Sequence, residues 1–504
     1  MEFFNNEKSR TEKILKAIKE KNSDFWMKER EKSSLALFKK AAKNVPAYKD
    51  FLQKNKIQAE KIKTWQDFQN VPPMDKKNYL RQYPLEQLCW DGSLKKPLVF
   101  TSTSGSTGEP FYFPRLEKID WQYSILQELF LEQSSIVNNE PILVIVCFGM
   151  GVWIGGLISY EAFEMASRRS DYSVSILTPG INKEEIFKAL KKLSPKFAQT
   201  ILVGYPPFIK DLIDEASGRD INLSKINLRL VFAAEVFTEN FRDYIVQKAR
   251  IRSPYLDIIH IYGSADIGAM AWETGGATLI KRLSMGNKNL FNKLFSNINK
   301  TPTLAQFNPS FVSFEAPDGE VFLTGDNAIP LIRYAIGDRG GVFSFKDAVS
   351  NLKQYGCDIK DEINKAGING YVNELPFVYI YERSDMSTTL YGLQIFPEII
   401  RDALISGVAA DYLTGKFSLS TKFDANQDQY LEINIELRND KIINDQFKKA
   451  LTDLIVSTLC IKSSEFNELN NHLKERAAPK LVFWPFEHPE HFKPGIKQKW
   501  VKNN

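Results

Sequence analysis

The sequence predicts an α/β protein whose large N-terminal part contains a mostly parallel sheet flanked by helices and a β-rich subdomain. Three observations predict this. Short apolar runs alternate with helical patterns from residue 97 onward, tight Gly/Asp turns separate the strand-like runs after residue 310, and a shorter α+β pattern follows residue 383. The length of 504 residues exceeds the usual size of one domain, so we expect more than one.

The composition is that of an ordinary globular protein, and it argues against several kinds of partner and site. The net charge of +5 is too mild to predict a nucleic-acid partner by itself. The cysteines lie far apart, without the spacing of a zinc site or a redox dithiol, so we expect four reduced thiols in a cytoplasmic protein. The first twenty residues are charged throughout, which is not typical of a signal peptide.

One segment resembles a membrane span in its composition. "PILVIVCFGMGVWIGGLISY", residues 141–160, carries no charge. However, it contains four glycines, and its first nine residues are rich in β-branched side chains and have the length of a strand. We therefore expect a buried strand that runs into a Gly-rich turn, and no membrane span.

The elements follow in order along the chain. Residues 7–45 have apolar positions at helical spacing among Lys and Glu, which predicts long solvated helices. The predicted strands are "PLVFTS", "PILVIVCFG", "SVSILTPG", "TILVGYP", "LRLVFAAE" and "YLDIIHIYG", and the helical patterns between them include "KEEIFKALKKLS" and "PPFIKDLIDEAS". In parallel sheets, ligands bind beyond the carboxyl ends of such strands.

After residue 310 the pattern changes to "GEVFLTGDNAIPLIRYAIGDRGGVFSF", which predicts an antiparallel or barrel-like subdomain. There are two candidate insertions, the basic "LIKRLSMGNKNLFNKLFSNINK" and the segment "NLKQYGCDIKDEINKAGING". No internal repeat or low-complexity tract is found in the sequence.

The stretch "TSTSGSTGEPFYFPR", residues 101–115, is the first functional candidate, because a Ser/Thr/Gly loop follows the predicted strand "PLVF". Backbone N–H groups and hydroxyls in such a loop can bind phosphate, and glycines let the main chain approach closely. It lacks the Gly-Lys-Ser/Thr ending of a Walker A loop. Taken alone, the stretch is more typical of a surface turn or flexible loop.

Other segments follow this loop in a characteristic order. "TSGSTGEP" resembles the phosphate loop of the adenylate-forming (AMP-binding, acyl-CoA synthetase) superfamily. "FAAEVFTENFR", "YGSADIG", "PLIRYAIGDRG" and "ERSDMSTTLYGLQIFPEII" resemble the adenine-side, Tyr-Gly-x-x-acid, ribose and hinge segments of phenylacetate–CoA ligase-like members. "NVPAYKDFL" and "VPPMDKKNYLRQYPLEQL" resemble the helical lead-in of those enzymes, so the similarity extends from about residue 35 to the end.

The resemblance assigns roles in ATP binding. Asp266 would bind Mg²⁺, Tyr262 would stack on adenine beside Gly263, Glu235 would line the base pocket, and Asp338 would accept hydrogen bonds from the ribose hydroxyls. The donors to the β- and γ-phosphates would be Ser104, Gly105, Ser106, Thr107 and Gly108.

Each of these residues also has a structural interpretation. Tyr262 could be a core aromatic, Asp266 and Glu235 could be carboxylates at helix N-termini, and Asp338 could be a turn residue. The order of the motifs favours the functional interpretation.

The C-terminus carries the expected catalytic lysine. In "HFKPGIKQKWVKN", Lys497 fits best the family lysine that bridges the substrate carboxylate and the α-phosphate, with Lys493 and Lys499 as alternatives. The other interpretation is a solvated basic tail. By resemblance, Arg383 would contact phosphate and Asp385 would lie at a hinge.

The resemblance also implies domains and an acyl site. It divides the chain into a large adenylation domain, residues 1–383 with a helical lead-in to about residue 90, and a small mobile α+β domain, residues 384–504. Gly392 would line the CoA-binding face of the small domain, and Phe148 and Trp153 would line the acyl pocket. Core packing of these aromatic residues is the alternative.

Four departures from the family pattern concern charge, the hinge and the length of one acidic side chain. Glu109 replaces the usual Lys after the phosphate loop, and Ala335 stands where Arg is common. "ERSDM" lacks the Gly and the second Asp usual at the hinge, and Asp266 is shorter than the commoner Glu.

The resemblance implies an acid–thiol ligase that uses ATP, Mg²⁺ and coenzyme A to activate an aryl or similar carboxylic acid, and it allows a homodimer. An adenylate-forming enzyme that passes AMP or the acyl group to a carrier protein, an amine or a cofactor is the alternative. A non-catalytic relative is the third class, but it should have lost Lys497 or the phosphate loop, and both are present.

Overall fold

The structure is a computed structural model of the chain. It describes residues 2–96, 98–102, 111–136, 140–151, 154–295, 301–381, 388–404, 409–439, 441–492 and 501.

The strands alternate with helices through the middle of the chain, as the sequence predicts. The strands are β1 (Val99–Ser102), β2 (Tyr112–Arg115), β3 (Pro141–Cys147), β4 (Ser173–Leu177), β5 (Gln199–Gly204), β6 (Leu228–Ala233), β7 (Ile258–Ser264), β8 (Gly268–Trp272), β9 (Thr303–Gln306), β10 (Val312–Glu315), β11 (Glu320–Gly325), β12 (Leu331–Phe343), β13 (Phe377–Tyr381), β14 (Thr388–Leu390), β15 (Leu393–Ile395), β16 (Leu413–Phe423), β17 (Gln429–Leu437) and β18 (Lys480–Trp484).

The first helices are α1 (Glu2–Glu20), α2 (Ser23–Asn44), α3 (Pro46–Lys54), α4 (Trp65–Gln69), α5 (Leu85–Leu88), α6 (Glu117–Glu132), α7 (Ile154–Arg169), α8 (Lys183–Lys192) and α9 (Pro206–Ala216). The later helices are α10 (Glu239–Ala249), α11 (Gly275–Met285), α12 (Lys288–Leu294), α13 (Phe345–Gln354), α14 (Ile359–Lys365), α15 (Pro397–Leu404), α16 (Ala409–Tyr412), α17 (Asp445–Lys462) and α18 (Ser464–Leu473).

The main sheet has, within the described residues, eleven strands in the order β10-β11-β12-β13-β9-β8-β7-β6-β5-β3-β4. Neighbours from β4 to β7 pair in parallel, and all the pairs from β7 to β10 are antiparallel. The predicted α/β class is thus confirmed. The antiparallel strands expected after residue 310 are present, and they extend the parallel sheet at one edge.

The helices enclose this sheet because its strands are apolar on both faces. Every residue of β5 is buried, as are all residues of β3 after Pro141. The long N-terminal helices are not simply solvated, since α2 buries Trp26 and Phe38 in the core. The candidate membrane segment forms β3 and α7, and among the described residues there is no helix with the length and apolar content to cross a bilayer.

Smaller sheets lie outside the main one. β1 and β2 form an antiparallel pair, and the C-terminal part contains the hairpin of β14 with β15 and the sheet β16-β17-β18. Helices α15 and α17 pack against that sheet and α18 packs against α17, which matches the α+β pattern predicted past residue 383. The four cysteines are free thiols, with Cys89 and Cys147 buried.

Candidate active site

Asp266 lies in the turn between β7 and β8, at the carboxyl end of the parallel half of the sheet. The turn is tied to the end of β7, because the backbone N–H of Asp266 donates to Ser264 Oγ over 3.3 Å. The side chain is only 4% exposed. A carboxylate at this depth needs charged or polar partners.

Asp266 has two such partners from distant parts of the chain. The hydroxyl of Tyr334 on β12 donates to Asp266 Oδ2 over 2.7 Å, and the ammonium of Lys76 lies 3.3 Å from Asp266 Oδ1. The Lys76 side chain is about a third exposed. The arrangement therefore places a carboxylate and an accessible cation side by side.

Main-chain pairing explains how Lys76 reaches this place. Met74 pairs in parallel with Tyr334, with N–H donors from Met74 to Arg333 O (3.2 Å) and from Ala335 to Met74 O (2.8 Å). Lys76 then begins a π-helical turn, Lys76–Leu80, capped by Asp75. Sequence reasoning missed Lys76, although it lies in the quoted lead-in "VPPMDKKNYL", because its partner is on another part of the chain.

Tyr262 and Asp338 lie close together although β8, β9 and β13 separate their strands, β7 and β12, in the sheet. Tyr262 is the fifth residue of β7, and its hydroxyl donates to Asp338 Oδ2 on β12 over 2.6 Å. Gly263 follows Tyr262 where the hairpin is tight, since a Cβ there would lie 2.9 Å from Gly268 O. Two residues that the sequence assigns to adenine and ribose are therefore adjacent.

The loop between β1 and β2 begins close to Asp266. Thr101, near the end of β1, donates its hydroxyl to Ala265 O over 3.3 Å. Residues 103–110, which include the predicted phosphate donors Ser104 to Gly108 and Glu109, lie outside the described residues. The described end of β1 therefore contacts the turn that carries Asp266.

Glu235 follows β6 and is held by the C-terminal part of the chain. Its Oε1 accepts hydrogen bonds from the Gly392 N–H (2.9 Å) and from Gln429 Nε2 (3.0 Å). Gln429 in turn accepts from the Tyr391 N–H over 2.7 Å. The carboxylate that the sequence assigns to the base pocket thus also docks the C-terminal part.

The Tyr391–Gly392 turn that reaches Glu235 has an unusual backbone. It joins β14 to β15, and its two residues have φ of +48° and +81°. Both angles are typical of a two-residue hairpin turn whose strands keep their right-handed twist. Tyr391 is fully buried, and burial raises the pKa of its phenol.

A buried charge network lies behind Glu235. Arg242 and Lys281 contact both Glu239 and Glu273, with Arg242 Nε 3.0 Å and Lys281 Nζ 2.6 Å from Glu239. Burial would raise the pKa of Glu239, but Arg242 and Lys281 lower it to about 2. The network joins α10 and α11 to Glu273, which directly follows β8.

His260 on β7 is buried beside this network. Burial lowers the pKa of His260 to about 4, against the attraction of Glu273 and a hydrogen bond with the backbone of Glu235. The imidazole is therefore neutral at pH 7. Its contact with the Glu235 backbone connects the network to the candidate site.

Phe148 follows β3 and is fully buried. Its ring packs edge-on against Tyr205 at 4.7 Å between centroids, and a Cβ on Gly155 would lie 3.3 Å from its Cγ. Tyr205 also contacts the C-terminal part, since a Cβ on Gly392 would lie 2.1 Å from its ring. Tyr205 therefore separates the expected acyl residue Phe148 from the expected CoA-face residue Gly392.

Several sequence-predicted site residues lie outside the described part of the chain. They are Trp153, Arg383, Asp385, Lys493, Lys497 and Lys499.

The structure is similar to solved structures of one ligase. It matches 2-hydroxyisobutyryl-CoA ligase, in complex with 2-HIB-AMP and CoA in the thioesterification state, with a TM-score of 0.60 and 16% identity, covering 94% of this chain and 90% of that chain. This chain has the fold of that ligase. An open conformation of the same ligase matches with a TM-score of 0.50 and 15% identity, covering 94% and 91%.

The postadenylation state of that ligase, in complex with 2-HIB-AMP, matches with a TM-score of 0.50 and 16% identity, covering 94% of this chain and 90% of that chain. No protein-family model and no curated protein matches the chain.

Proposed function

We propose that this protein is an ATP-dependent acid–thiol ligase of the phenylacetate–CoA ligase type, which forms an acyl-adenylate and transfers the acyl group to coenzyme A. The hydrogen bond between Tyr262 and Asp338, beside the Asp266–Tyr334–Lys76 cluster, is the observation that carries the proposal. The contacts support a site in which an aromatic ring and a carboxylate would meet the nucleoside and the charged cluster would meet the phosphates.

In this proposal the nucleotide lies across the carboxyl ends of β6 and β7. Tyr262 stacks on adenine with Gly263 beneath it, and Glu235 lines the base side. The Asp338 carboxylate turns from Tyr262 to accept the ribose hydroxyls, a geometry that two oxygens suit. The loop from Ser104 to Gly108 binds the β- and γ-phosphates through its N–H groups.

Mg²⁺ is the metal implied by this chemistry, and Asp266 is suited to bind it. Among the described residues no three His, Cys, Asp or Glu side chains cluster as a metal cage. Mg²⁺ does not require a cage, because it usually binds one or two carboxylates together with substrate phosphates and waters. Asp266 Oδ1 would be its protein ligand, while Oδ2 stays on Tyr334. Bound there, the ion would neutralise phosphate charge.

The first half-reaction needs alignment and charge stabilisation. A carboxylate oxygen of the acid attacks the α-phosphorus, the bond to the pyrophosphate oxygen breaks, and pyrophosphate leaves with the electron pair. Lys497 bridges the carboxylate and the α-phosphate as negative charge develops, Arg383 contacts phosphate, and Lys76 adds a second cation near Asp266. Lys76 would partly replace the cation lost at Glu109.

The second half-reaction uses the other face of residues 384–504, which we propose to be a small domain that rotates about Asp385. The CoA sulfur attacks the acyl carbon, the bond to the AMP oxygen breaks, AMP leaves, and the thiol proton passes to solvent. Gly392 lies on the CoA-binding face. The higher TM-score with the thioesterification state, 0.60 against 0.50 for the other two, supports assigning the described arrangement to this step.

The acid is proposed to be aryl or similar, bound between Phe148 and Trp153. The Phe148 ring is buried and packs edge-on against Tyr205, so in this proposal the two rings form an apolar wall of the acyl site.

The experiment that tests the proposal is pyrophosphate release with Mg-ATP across a panel of aryl and fatty acids, with and without CoA. Release that depends on one acid and increases with CoA would support the ligase and identify its substrate. Release that is indifferent to CoA would favour a carrier protein or an amine as acceptor. Silence across the panel would contradict the proposed activity.

Variants of the tail assign the catalytic lysine. We expect Lys497→Ala to lower adenylate formation on the order of 10²- to 10³-fold, as loss of a transition-state contact does. ATP affinity should change little, because the contact forms mainly in the transition state. Lys493→Ala and Lys499→Ala are the matched controls, and a larger loss in either one would transfer the role to that residue.

A further inference from the structure

Helix α9 of the large domain carries charged residues where an amphipathic helix would have apolar ones. Lys210 and Asp211 are 0% and 1% exposed. Moving such charges out of water costs several kcal/mol each unless partners compensate. Burial indeed raises the pKa of Asp211 to about 6, against the attraction of Lys183 and Arg476.

The small domain supplies partners for both residues. Asp428, in the turn between β16 and β17, lies 2.7 Å from Lys210 Nζ. Arg476, just after α18, places Nη1 2.9 Å from Asp211 Oδ1. Asp428 and Arg476 are each about a third exposed, so they close the rim of the contact.

Each of these four charges also has a partner on its own domain. Lys210 Nζ lies 2.5 Å from Asp214, and Asp211 lies 3.6 Å from Lys183. On the small domain, Arg476 Nη2 lies 3.1 Å from Asp428. Separation of the domains would therefore leave no charge without a counter-charge.

Asp214 and Lys183, the partners on the large domain, are themselves held by other residues of that domain. Asp214 accepts from the Tyr244 hydroxyl over 2.6 Å, and Lys183 pairs with Glu215 over 2.5 Å. The network of Arg242, Glu239, Glu273 and Lys281 differs, because all its members belong to the large domain. That network holds one domain together, whereas the α9 contacts cross between two.

We propose that Lys210, Asp211, Asp428 and Arg476, with Lys183 and Asp214 as reserve partners, form a latch that holds the small domain in the docked arrangement and releases it by exchanging ion-pair partners. The bond that Glu235 makes to the Gly392 N–H lies at the same interface. The latch sets the ratio of docked to undocked molecules, and hence the balance between thioester and adenylate formation. The effect on the balance of the two half-reactions rests on the function proposed above, whereas the effect on the docked-to-undocked ratio does not.

The test measures the distance between the domains without substrate. Nitroxide labels on the partly exposed thiols Cys357 and Cys460 report one position on each domain, while Cys89 and Cys147 are buried. In Arg476→Gln we expect the docked-to-undocked ratio to fall on the order of tenfold, because a cross-domain ion pair is lost. Arg476→Lys, which keeps the charge, should retain most of the docked population.

The matched control is Arg219→Gln. Arg219 is similarly exposed and pairs with Glu184 over 2.7 Å, but both residues belong to the large domain. Its distance distribution should equal that of the wild type. Identical distributions in Arg476→Gln, Arg219→Gln and the wild type would overturn the latch.

A second measurement uses only the wild type, so it tests the latch even if Arg476→Gln fails to fold. Raising the salt concentration from 0.1 M to 1 M shortens the screening length from about 10 Å to about 3 Å. The wild type should then show more undocked molecules. If the distance distribution does not change with salt, the latch is overturned, even if the protein proves to be a ligase. If the distribution changes with salt but the protein is inactive with every acid, only the proposed function is refuted.

Discussion

Lys76 brings a cation to the candidate phosphate site from the N-terminal lead-in. Its ammonium lies 3.3 Å from a buried oxygen of Asp266, and the side chain is accessible enough to reach a bound ligand. We expect Lys76→Met to raise the Michaelis constant for ATP on the order of tenfold, because a charge-assisted contact to phosphate is lost. Initial rates of pyrophosphate release at varied ATP measure this.

Lys77→Met is the control for that variant. Lys77 is the next residue, is exposed, and belongs to the same π-helical turn. Equal Michaelis constants for ATP in the two variants would mean that Lys76 does not contact the phosphates.

At the residue scale, the sequence offers candidate side chains where they belong to contiguous motifs, and their roles stay predictions. Tyr262 and Asp338 belong to two such motifs, and a hydrogen bond joins them although three strands separate β7 and β12 in the sheet. Lys76 could not be predicted, because nothing in "DKKNYL" specifies the pairing of Met74 with Tyr334. Glu235 shows the same limit, since its partners Gly392 and Gln429 come from the C-terminal part of the chain.

Elements were predictable where apolar runs and turn residues decide them. β3, β5, β6 and β7 lie in the quoted apolar runs, because buried parallel strands are apolar on both faces. Which strands pair with each other could not be predicted. The sequence pattern of residues 301–381 indicates only the length and alternation of strands, whereas in the structure β13 pairs with both β9 and β12. The sequence predicted a helix at α9, but it could not predict that Asp428 and Arg476 would pair with the buried Lys210 and Asp211.

The β14–β15 hairpin makes a testable steric contact. Gly392 lies against the Tyr205 ring, where an added Cβ would be 2.1 Å from ring carbons. We expect Gly392→Ala to slow thioester formation at least on the order of tenfold and to leave adenylate formation nearly unchanged, because only the docked arrangement requires this contact. Single-turnover assays of the two half-reactions measure it.

Two further variants separate the clash from backbone strain. Gly356→Ala places Ala at a similar φ, +78°, with no atom within 4 Å of the new Cβ, and it should leave both half-reactions unchanged. Tyr205→Ala combined with Gly392→Ala should recover part of the thioester rate. Absence of any recovery would mean that strain in the hairpin, and not the Tyr205 ring, causes the loss.

For the whole molecule, the pH dependence of stability follows from His260, where a neutral imidazole is buried. Its pKa is about 4 in the folded protein against an ordinary value of 6.5. Between these values the unfolded chain binds more protons, so this contribution to stability is complete above pH 6.5 and is lost as the pH falls toward 4. Between pH 7 and pH 5 we expect a loss of about 2 kcal/mol from this residue.

Other buried groups change the stability in the opposite direction as the pH falls. The effect of His260 must therefore be measured as the difference between the wild type and a His260 variant. Burial raises the pKa of Asp120 and of Asp211 to about 6, and the folded protein gains from their protonation as the pH falls. His260→Gln removes the titration, and its amide can still donate to the Glu235 backbone. Urea unfolding at pH 7 and pH 5 should therefore show a free energy of unfolding that falls by about 2 kcal/mol more in the wild type than in the variant. Equal decreases in the two proteins would mean that His260 is protonated in the folded state, and that the sheet behind Glu235 is open to water.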